Sequence, residues 1–214
     1  MNKILRRTAV LLTVILLSPA LYADESAGLL TGSLSTAQTV GFGNGQIGGF
    51  AGFGDEFTTL FGAITYGFSD YTEGRFKLGF SDPDIPDGDP ELAIGADFKY
   101  QFMDVNSRTR KQPLDMAFGF LFEWVDIEGF SLIQLGGFLT GSYPFKLSSG
   151  STLSPYGRIN IRMERVSNGD SESDFEGGFN MGVKFDLSPS VALFGELQID
   201  GNTGLFTGLD FKAF

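Results

Sequence analysis

The chain has 214 residues, a net charge of −11, no cysteine and no histidine. The missing cysteines exclude a disulfide scaffold, and the missing histidines exclude Ser-His-Asp and Cys-His catalysis. An acidic chain is also a poor candidate for nucleic-acid binding. The composition is instead dominated by 30 glycines and 23 phenylalanines.

Residues 1–23 have the pattern of a cleaved secretory signal peptide. Three positive residues precede an apolar stretch from Ala9 to Leu17, and Ala23 fits the small residue before a cleavage site. The apolar stretch is shorter than the ~20 residues that a membrane-spanning helix needs. We therefore expect export and cleavage after Ala23.

The remainder of the chain alternates between apolar and polar residues with period two, which predicts β-strands between two different environments. Phe118, Phe120 and Phe122, for example, lie opposite Asp115 and Glu123. Ten strands are predicted, at 46–53, 57–68, 72–81, 91–103, 114–125, 131–146, 152–164, 174–187, 190–199 and 203–213. Eight strands would require merging two well-patterned segments, and twelve would require two more within 28–43.

Alternating strands suit either a soluble sandwich or a membrane barrel. The predicted strands are about 10–13 residues long, which suits a tilted membrane span better than a soluble strand of ~5–6 residues. Aromatic residues lie near the strand ends, as at a membrane interface. The prediction is an all-β fold, a transmembrane antiparallel up-and-down β-barrel over residues 46–214.

The chain ends in Phe214. Together with the signal peptide and the alternating strands, this ending resembles bacterial outer-membrane β-barrel proteins. The resemblance implies a periplasmic C-terminus whose Leu209, Phe211 and Phe214 are recognised by the barrel-assembly machinery. It also implies a Gram-negative outer membrane, with lipid and lipopolysaccharide as neighbours. Phe214 is out of phase with Phe211, so either it turns outward past the strand end or assembly tolerates the shift.

A periplasmic C-terminus assigns sides to the connections. The predicted outer loops, at 54–56, 81–90, 125–130, 165–173 and 200–202, are acidic, whereas the predicted periplasmic turn 104–113 contains Arg108, Arg110 and Lys111. Residues 24–45 are rich in Gly, Ser and Thr, and we interpret them as a lead-in that either stays in the periplasm or plugs the barrel.

Charged residues on the inward phase of the strands are nearly balanced in sign. The acids are Glu73, Asp97, Asp115, Glu123, Glu164, Glu176, Asp186, Glu196 and Asp210. The bases are Arg75, Lys77, Lys99, Lys146, Arg158, Arg162, Lys184 and Lys212. A balanced interior is expected of a packed salt-bridge lattice, since unpaired buried charge is costly, whereas a selective pore would show one sign in excess. Glu176 and Glu123 are candidate partners for the two arginines of the seventh strand.

One predicted outer loop carries four closely spaced carboxylates, Asp82, Asp84, Asp87 and Asp89. Such a cluster suits a weak Ca²⁺ or Mg²⁺ site, but its spacing differs from that of an EF-hand, and a solvated acidic loop is the favoured interpretation. No cofactor is expected.

The resulting functional hypothesis is a non-enzymatic barrel with a largely plugged, salt-bridged lumen and a structural or surface-interaction role. Enzymes of the family that the chain resembles rely on a catalytic histidine, which this chain lacks. The alternative is a narrow passive channel for ions or small solutes, favoured by the Gly- and Ser-rich inner faces of the first, second and sixth strands.

Overall fold

The computed structural model describes residues 28–84, 89–107, 112–127, 130–168 and 170–214. Ten long strands account for most of them: β1 (Gly45–Gly54), β2 (Phe57–Gly67), β3 (Thr72–Pro83), β4 (Glu91–Met103), β5 (Asp115–Ile127), β6 (Phe130–Ser142), β7 (Thr152–Asn168), β8 (Asp170–Ser188), β9 (Val191–Ile199) and β10 (Gly204–Lys212). A two-residue strand, Phe145–Lys146, pairs with the start of β7. These described residues include no helix long and apolar enough to span a membrane. The predicted signal peptide lies outside them.

Each long strand pairs antiparallel with its neighbour in the chain, and β1 pairs with β10 to close the barrel. Gln46 lies opposite Lys212, and Gly54 lies opposite Gly204. Closure leaves no free strand edge, which is the condition for a sheet to cross a membrane. The predicted ten-stranded barrel is confirmed. We call the end where β1 begins and β10 ends the near end, and the opposite one the far end.

Two strand boundaries differ from the prediction. The predicted strand 131–146 stops at Ser142 because Pro144 has no N–H for the ladder, and Tyr143 N donates to Pro155 O at 3.2 Å instead. The predicted loop 165–173 is a continuation of β7 and β8, with Arg165 opposite Ser173. Polar residues there suggested a loop, but two paired strands satisfy their own backbone groups and continue into solvent.

The outer wall carries a continuous apolar surface. Phe120 is 62 % exposed and Leu135 is 55 % exposed, whereas their chain neighbours Leu121 and Gln134 are buried. Exposed aromatic residues gather towards the near end, namely Tyr66, Phe68, Tyr71, Tyr100, Phe102, Phe118, Tyr143, Phe145 and Phe214. An apolar band bordered by aromatic residues around a polar interior is the surface of a transmembrane barrel.

The last residue turns outward past the end of β10. Gly45 N donates to Phe214 O at 2.9 Å, and the Phe214 ring lies 6.2 Å from that of Tyr66 on the outer wall. A Cβ on Gly45 would come within 2.2 Å of the Phe214 ring, so the ring occupies the space that this glycine leaves. Leu209 and Phe211 share the outer face, and Phe211 is exposed. Of the two explanations for the phase shift of Phe214, the structure therefore supports the outward turn.

Candidate functional site

Residues 28–40, which we call the lumen segment, run inside the barrel before the chain turns into β1. Leu29, Leu30, Leu34 and Ala37 are buried to within 1 % of complete. Residues 28–40 form no regular strand or helix. The partners of the segment are therefore not another strand but the side chains that point inward from the barrel wall.

The segment begins at the far end, beside the turn between β9 and β10. Leu29 N donates to Asp200 Oδ2 at 3.2 Å, and Leu29 O accepts from Gln198 Nε2 at 2.7 Å. Gly28 has a left-handed φ of +66°, and a Cβ there would lie 2.0 Å from Asn202 N. Only glycine fits this close approach between the segment and the turn.

Glu123 of β5 holds the next two residues. Its carboxylate accepts from Leu30 N at 2.7 Å and from the Thr31 hydroxyl. Lys77 Nζ lies 3.6 Å from Glu123, donates to Thr31 Oγ1 at 2.9 Å and pairs with Asp97 at 2.9 Å. A network that includes both signs of charge keeps these buried groups from being left unpaired.

Glu196 of β9 holds the middle of the segment from the other side of the lumen. Its two oxygens accept from Ser33 N at 2.6 Å and Leu34 N at 2.7 Å. Tyr156 Oη donates to the same carboxylate at 2.7 Å, and Asn180 Nδ2 donates at 2.9 Å. Four donors therefore converge on one fully buried carboxylate, which satisfies its charge without a salt bridge.

The backbone bends sharply where these two carboxylates meet the segment. Gly32 has a φ of +59° and Leu34 has a φ of 41°. A Cβ on Gly32 would lie 3.0 Å from both Glu196 Oε1 and the Phe206 ring. The bend turns successive N–H groups from Glu123 towards Glu196.

Two basic residues bind the carbonyl groups of the same stretch. Arg75 Nη1 donates to Ser33 O at 3.0 Å and Leu34 O at 3.1 Å, while its guanidinium lies 4.7 Å from the centre of the Phe50 ring. Cation–π contact of this kind replaces part of the lost hydration of a buried arginine.

Lys99 does the same nearer the near end. Its ammonium donates to Ser35 Oγ at 3.0 Å, Thr36 O at 2.6 Å and Gln38 O at 2.8 Å, and pairs with Glu73 at 2.8 Å. Acidic wall residues therefore take the N–H groups of the segment, and basic ones take its carbonyl groups.

The segment leaves the lumen at the near end. Ala37 N donates to Ser142 Oγ at 3.0 Å, Thr39 N to Gln101 Oε1 at 3.1 Å and Val40 N to Glu73 Oε2 at 2.8 Å. The turn that follows connects it to β1. All of these contacts join residues far apart in the chain.

Apolar side chains fill the space between the polar contacts. Leu30 packs with Phe57, Ala93, Val125 and Leu132, and Leu29 packs with Leu121 and Phe138. Leu34 belongs to an aromatic cluster with Phe50, Phe61, Tyr156, Phe194 and Phe206. The inner face of β1 is rich in glycine, as expected, but the side chains of Phe50, Phe206 and Asp210 take up the space beside Gly48 and Gly52. The inner faces of β2 and β6 carry the buried rings of Phe61 and Phe138. The expectation of open inner faces was therefore wrong, because bulky side chains fill the space that the glycines leave.

The predicted lumen charges fall into three groups. Buried in the lumen are Glu73, Arg75, Lys77, Asp97, Lys99, Asp115, Glu123, Arg158, Arg162, Glu164, Glu196 and Asp210. Partly exposed are Glu176, Lys184 and Asp186, of which the last two pair at 3.1 Å near the near end. Lys146 is exposed, which corrects its assignment to the lumen, whereas Lys212 is exposed at the mouth of the near-end cavity that it lines. Lys146 lies beyond the break at Pro144, and Lys212 is the last residue of β10.

The shortest described contacts of the two lumen arginines of β7 are not with the candidate acids. Arg162 lies opposite Glu176 in the register of β7 and β8, but its guanidinium lies 2.7 Å from Glu164 on its own strand and 3.4 Å from Asp200. Arg158 interacts electrostatically with Glu123, and its guanidinium lies over the Phe138 ring at 3.8 Å from its centre. Strand register alone could not reveal the shortest contacts, because the long side chains reach along the lumen axis.

Several contributors to the site were missed because they are neutral or lie in a turn. Gln134 donates to Gly28 O at 2.5 Å, and Gln198 and Gln101 also bind the segment. All three lie on the inward phase, so a list of every inward polar residue would have included them.

Asp200 was assigned to an outer loop, yet its side chain is fully buried. It lies in the turn after β9, and burial raises the pKa of this carboxyl from 3.8 to about 6. Arg162 and the N–H groups of Leu29 and Asn202 oppose that rise by favouring the charged form.

The proposed acidic metal cluster is only partly within the described residues. Asp82, Asp84 and Asp89 are exposed, and Asp87 lies outside the described ranges. Across the part of the chain that the structure describes, no group of three or more acidic residues is placed to hold a metal ion.

Water-accessible space is concentrated at the near end. A polar cavity of about 510 Å³ is lined by residues that include Lys184, Asp186 and Lys212. A second cavity of about 80 Å³ reaches deeper, to Val40 and Arg75. The near end therefore forms a vestibule below the lumen segment.

No protein-family model and no curated protein matches this chain. Solved structures of membrane barrels resemble it. The N-terminal β-barrel domain of Pseudomonas aeruginosa OprF shares 11 % identity with a TM-score of 0.39, covering 81 % of this chain and 99 % of that one. The β domain of the Bordetella autotransporter BrkA shares 10 % with a TM-score of 0.47, covering 79 % and 99 %. An outer-membrane channel of Pseudomonas putida F1 shares 11 % with a TM-score of 0.38, covering 83 % and 98 %. At these sequence identities and TM-scores, the similarity to these structures says nothing about function.

Proposed function

We propose that this protein is an exported outer-membrane barrel whose lumen is closed by its own residues 28–40. Its role is structural or one of surface interaction, in contact with lipid and lipopolysaccharide, and it is not an enzyme. The observation that carries the proposal is that Glu123 binds the main-chain N–H of Leu30 while Glu196, on the nearly opposite wall, binds those of Ser33 and Leu34.

The energetics favour a closed lumen. Barrel diameter grows with strand number, and a barrel of this size has an interior that side chains can fill. Withdrawal of the segment would leave Glu196 without two donors and Arg75 without two acceptors. Unpaired buried charges cost several kcal/mol each unless water replaces the lost partners, so the occupied state is strongly preferred.

A narrow channel is the second candidate, and the near-end vestibule favours it. The two cavities share Gln46, Lys184 and Asp210, so water has a route from the near end towards the segment. Conduction along that route requires the segment to leave its far-end contacts. The two candidates therefore differ in whether the folded protein passes a steady current.

The test is single-channel conductance of refolded protein in a planar bilayer, with folding checked by resistance to unfolding in detergent at room temperature. We expect no sustained current from the wild type. A steady ohmic current from folded wild-type protein would overturn the proposal in favour of the channel.

A double variant tests whether the segment is what closes the lumen. Glu123→Gln with Glu196→Gln removes both charges that hold the N–H groups while keeping the side-chain size, and we expect intermittent current. The matched control, Glu56→Gln with Glu172→Gln, makes the same change at two exposed positions and should stay silent. Silence of both folded double variants would contradict the assignment of closure to these two contacts.

A further inference from the structure

The contacts of the lumen segment follow its sequence from one end of the barrel to the other. Leu29 is bound at the far end by Asp200, and Val40 is bound by Glu73, close to the start of β3 at the near end. At the near end itself, Gly43 N donates to Gly67 O at 3.0 Å. The segment therefore passes through the whole lumen.

The length of the segment agrees with this path. Residues 28–40 in extended form reach up to roughly 43 Å, at ~3.3 Å for each residue. The hydrocarbon core of a membrane is ~30 Å thick. The bend at Gly32 and Leu34 uses part of the excess, so the segment spans the membrane inside the barrel with length to spare.

An even number of strands normally returns both ends of the chain to one side of the membrane. Gly45 and Phe214 do lie together at the near end, where Gly45 N bonds Phe214 O. The lumen segment adds one more crossing before β1. We propose that the N-terminal end of the mature chain therefore lies on the opposite side of the membrane from Phe214, beside the far-end turns.

Contacts at the far end fix the place where the segment enters the lumen. Leu29 O accepts from Gln198 Nε2 at 2.7 Å and from Asn202 Nδ2 at 3.4 Å. Asn202 Oδ1 in turn accepts from Phe57 N at 3.1 Å, which ties the turn after β9 to the start of β2. Gly28 is held against this turn by a fit that excludes any Cβ.

The consequence concerns the side of the membrane on which the N-terminal end of the lumen segment lies. This inference rests on the lumen segment being in place, as the proposed function does, but it concerns sidedness and not current. In an outer membrane with a periplasmic C-terminus, Gly28 lies at the cell-surface end of the lumen.

The absence of cysteine from the natural sequence makes the test direct, because each single-cysteine variant has one reactive thiol. Ala27→Cys places the thiol next to Gly28. Ser171→Cys marks the far-end hairpin, and Ser149→Cys marks an exposed near-end turn. Each variant is treated with a membrane-impermeant maleimide in intact cells, after permeabilisation of the outer membrane, and after denaturation.

We expect Ala27→Cys to react in intact cells to at least half the extent of Ser171→Cys, with Ser149→Cys reacting only after permeabilisation. If Ala27→Cys reacts with the pattern of Ser149→Cys, or is protected until denaturation, the inference is wrong. The conductance experiment is independent of this result, because a barrel can be silent whichever side its terminus occupies. A current from wild-type protein with Ala27→Cys labelled outside would reject closure and keep the proposed side of the N-terminal end.

Discussion

The far and near halves of the lumen hold the same segment in different ways. In the far half, Leu30 is fully buried and the carboxylates of Glu123 and Glu196 are about 1 % exposed. In the near half, the side chains of Lys184 and Asp186 are 21 % and 34 % exposed and face a cavity of about 510 Å³. The near half opens onto this partly solvated vestibule, although Lys99 and Glu73, which bind the segment there, are themselves buried. We therefore expect the far half to contribute more to closure and to stability.

The largest effect is expected from removing the central carboxylate of the far half. Glu196→Ala leaves Ser33 N and Leu34 N without their acceptor in a dry site, which should lower the free energy of unfolding by about 3–5 kcal/mol. The measurement is urea unfolding of the protein in lipid vesicles. Glu172→Ala, at an exposed far-end position, is the matched control and should change stability little. Equal losses from the two variants would abolish the distinction between buried and exposed acids.

A cavity in the far-half packing should come next. Leu30→Ala removes a fully buried side chain from contact with Phe57 and Leu132, with an expected cost of about 2–5 kcal/mol. Val40→Ala shortens the half-buried residue at the other end of the segment and should cost under about 1 kcal/mol by the same measure, since partial burial removes less apolar area from water. If Val40→Ala costs as much as Leu30→Ala, the near half holds the segment as firmly as the far half.

The far half should also make the stability of the protein depend on pH, through the buried carboxyl of Asp200. Its pKa is raised from 3.8 to about 6 by burial, so the folded state binds this proton more tightly than the unfolded state. The stability from this group is therefore full below pH ~4 and falls, by at most about 3 kcal/mol, as the pH rises through 6. Urea midpoints at pH 4.5 and 7.5 measure it. In Asp200→Asn the difference between the two midpoints should shrink, and an unchanged difference would contradict the role of this carboxyl.

The smallest effect is expected in the vestibule. Lys184 and Asp186 pair at 3.1 Å, but both are partly solvated, so a double-mutant cycle with Lys184→Ala and Asp186→Ala should give a coupling of under about 1 kcal/mol. Added salt should weaken it further by screening. A coupling of several kcal/mol that resists salt would show that the near half is as dry as the far half.

Period-two alternation was enough to predict most of the barrel. It located all ten strands and assigned Phe120 and Leu135 to the outer wall, because each residue added to a strand reverses the side that the next one faces. It failed where backbone chemistry overrides the pattern. Pro144 ended β6 early and left Lys146 in solvent, and a polar stretch around Arg165 proved to be paired strand.

The candidate site was predictable in composition but not in its connections. Glu123, Glu196, Arg75 and Lys99 were all on the inward phase and were expected to pair with opposite charges of the wall. Glu123 and Lys99 do so, with Lys77 at 3.6 Å and Glu73 at 2.8 Å, but the main contacts of the other two are different. The structure shows Glu196 bound to the N–H groups of residues 33 and 34 and Arg75 bound to their carbonyls. A periodic pattern reports which face a residue occupies, and it carries no information about a segment that crosses that face without pairing as a strand.

The barrel itself is predictable from the chain: its strand count, its lipid-facing surface and its charged interior follow from local alternation, since each strand responds to its own two environments. The filling of the interior, the direction in which residues 28–40 cross it and the burial of Asp200 are visible only in the folded molecule. They depend on closure of the sheet, which brings β5 and β9 to nearly opposite sides of one narrow space, where the N–H groups of residues 28–40 meet carboxylates from both strands.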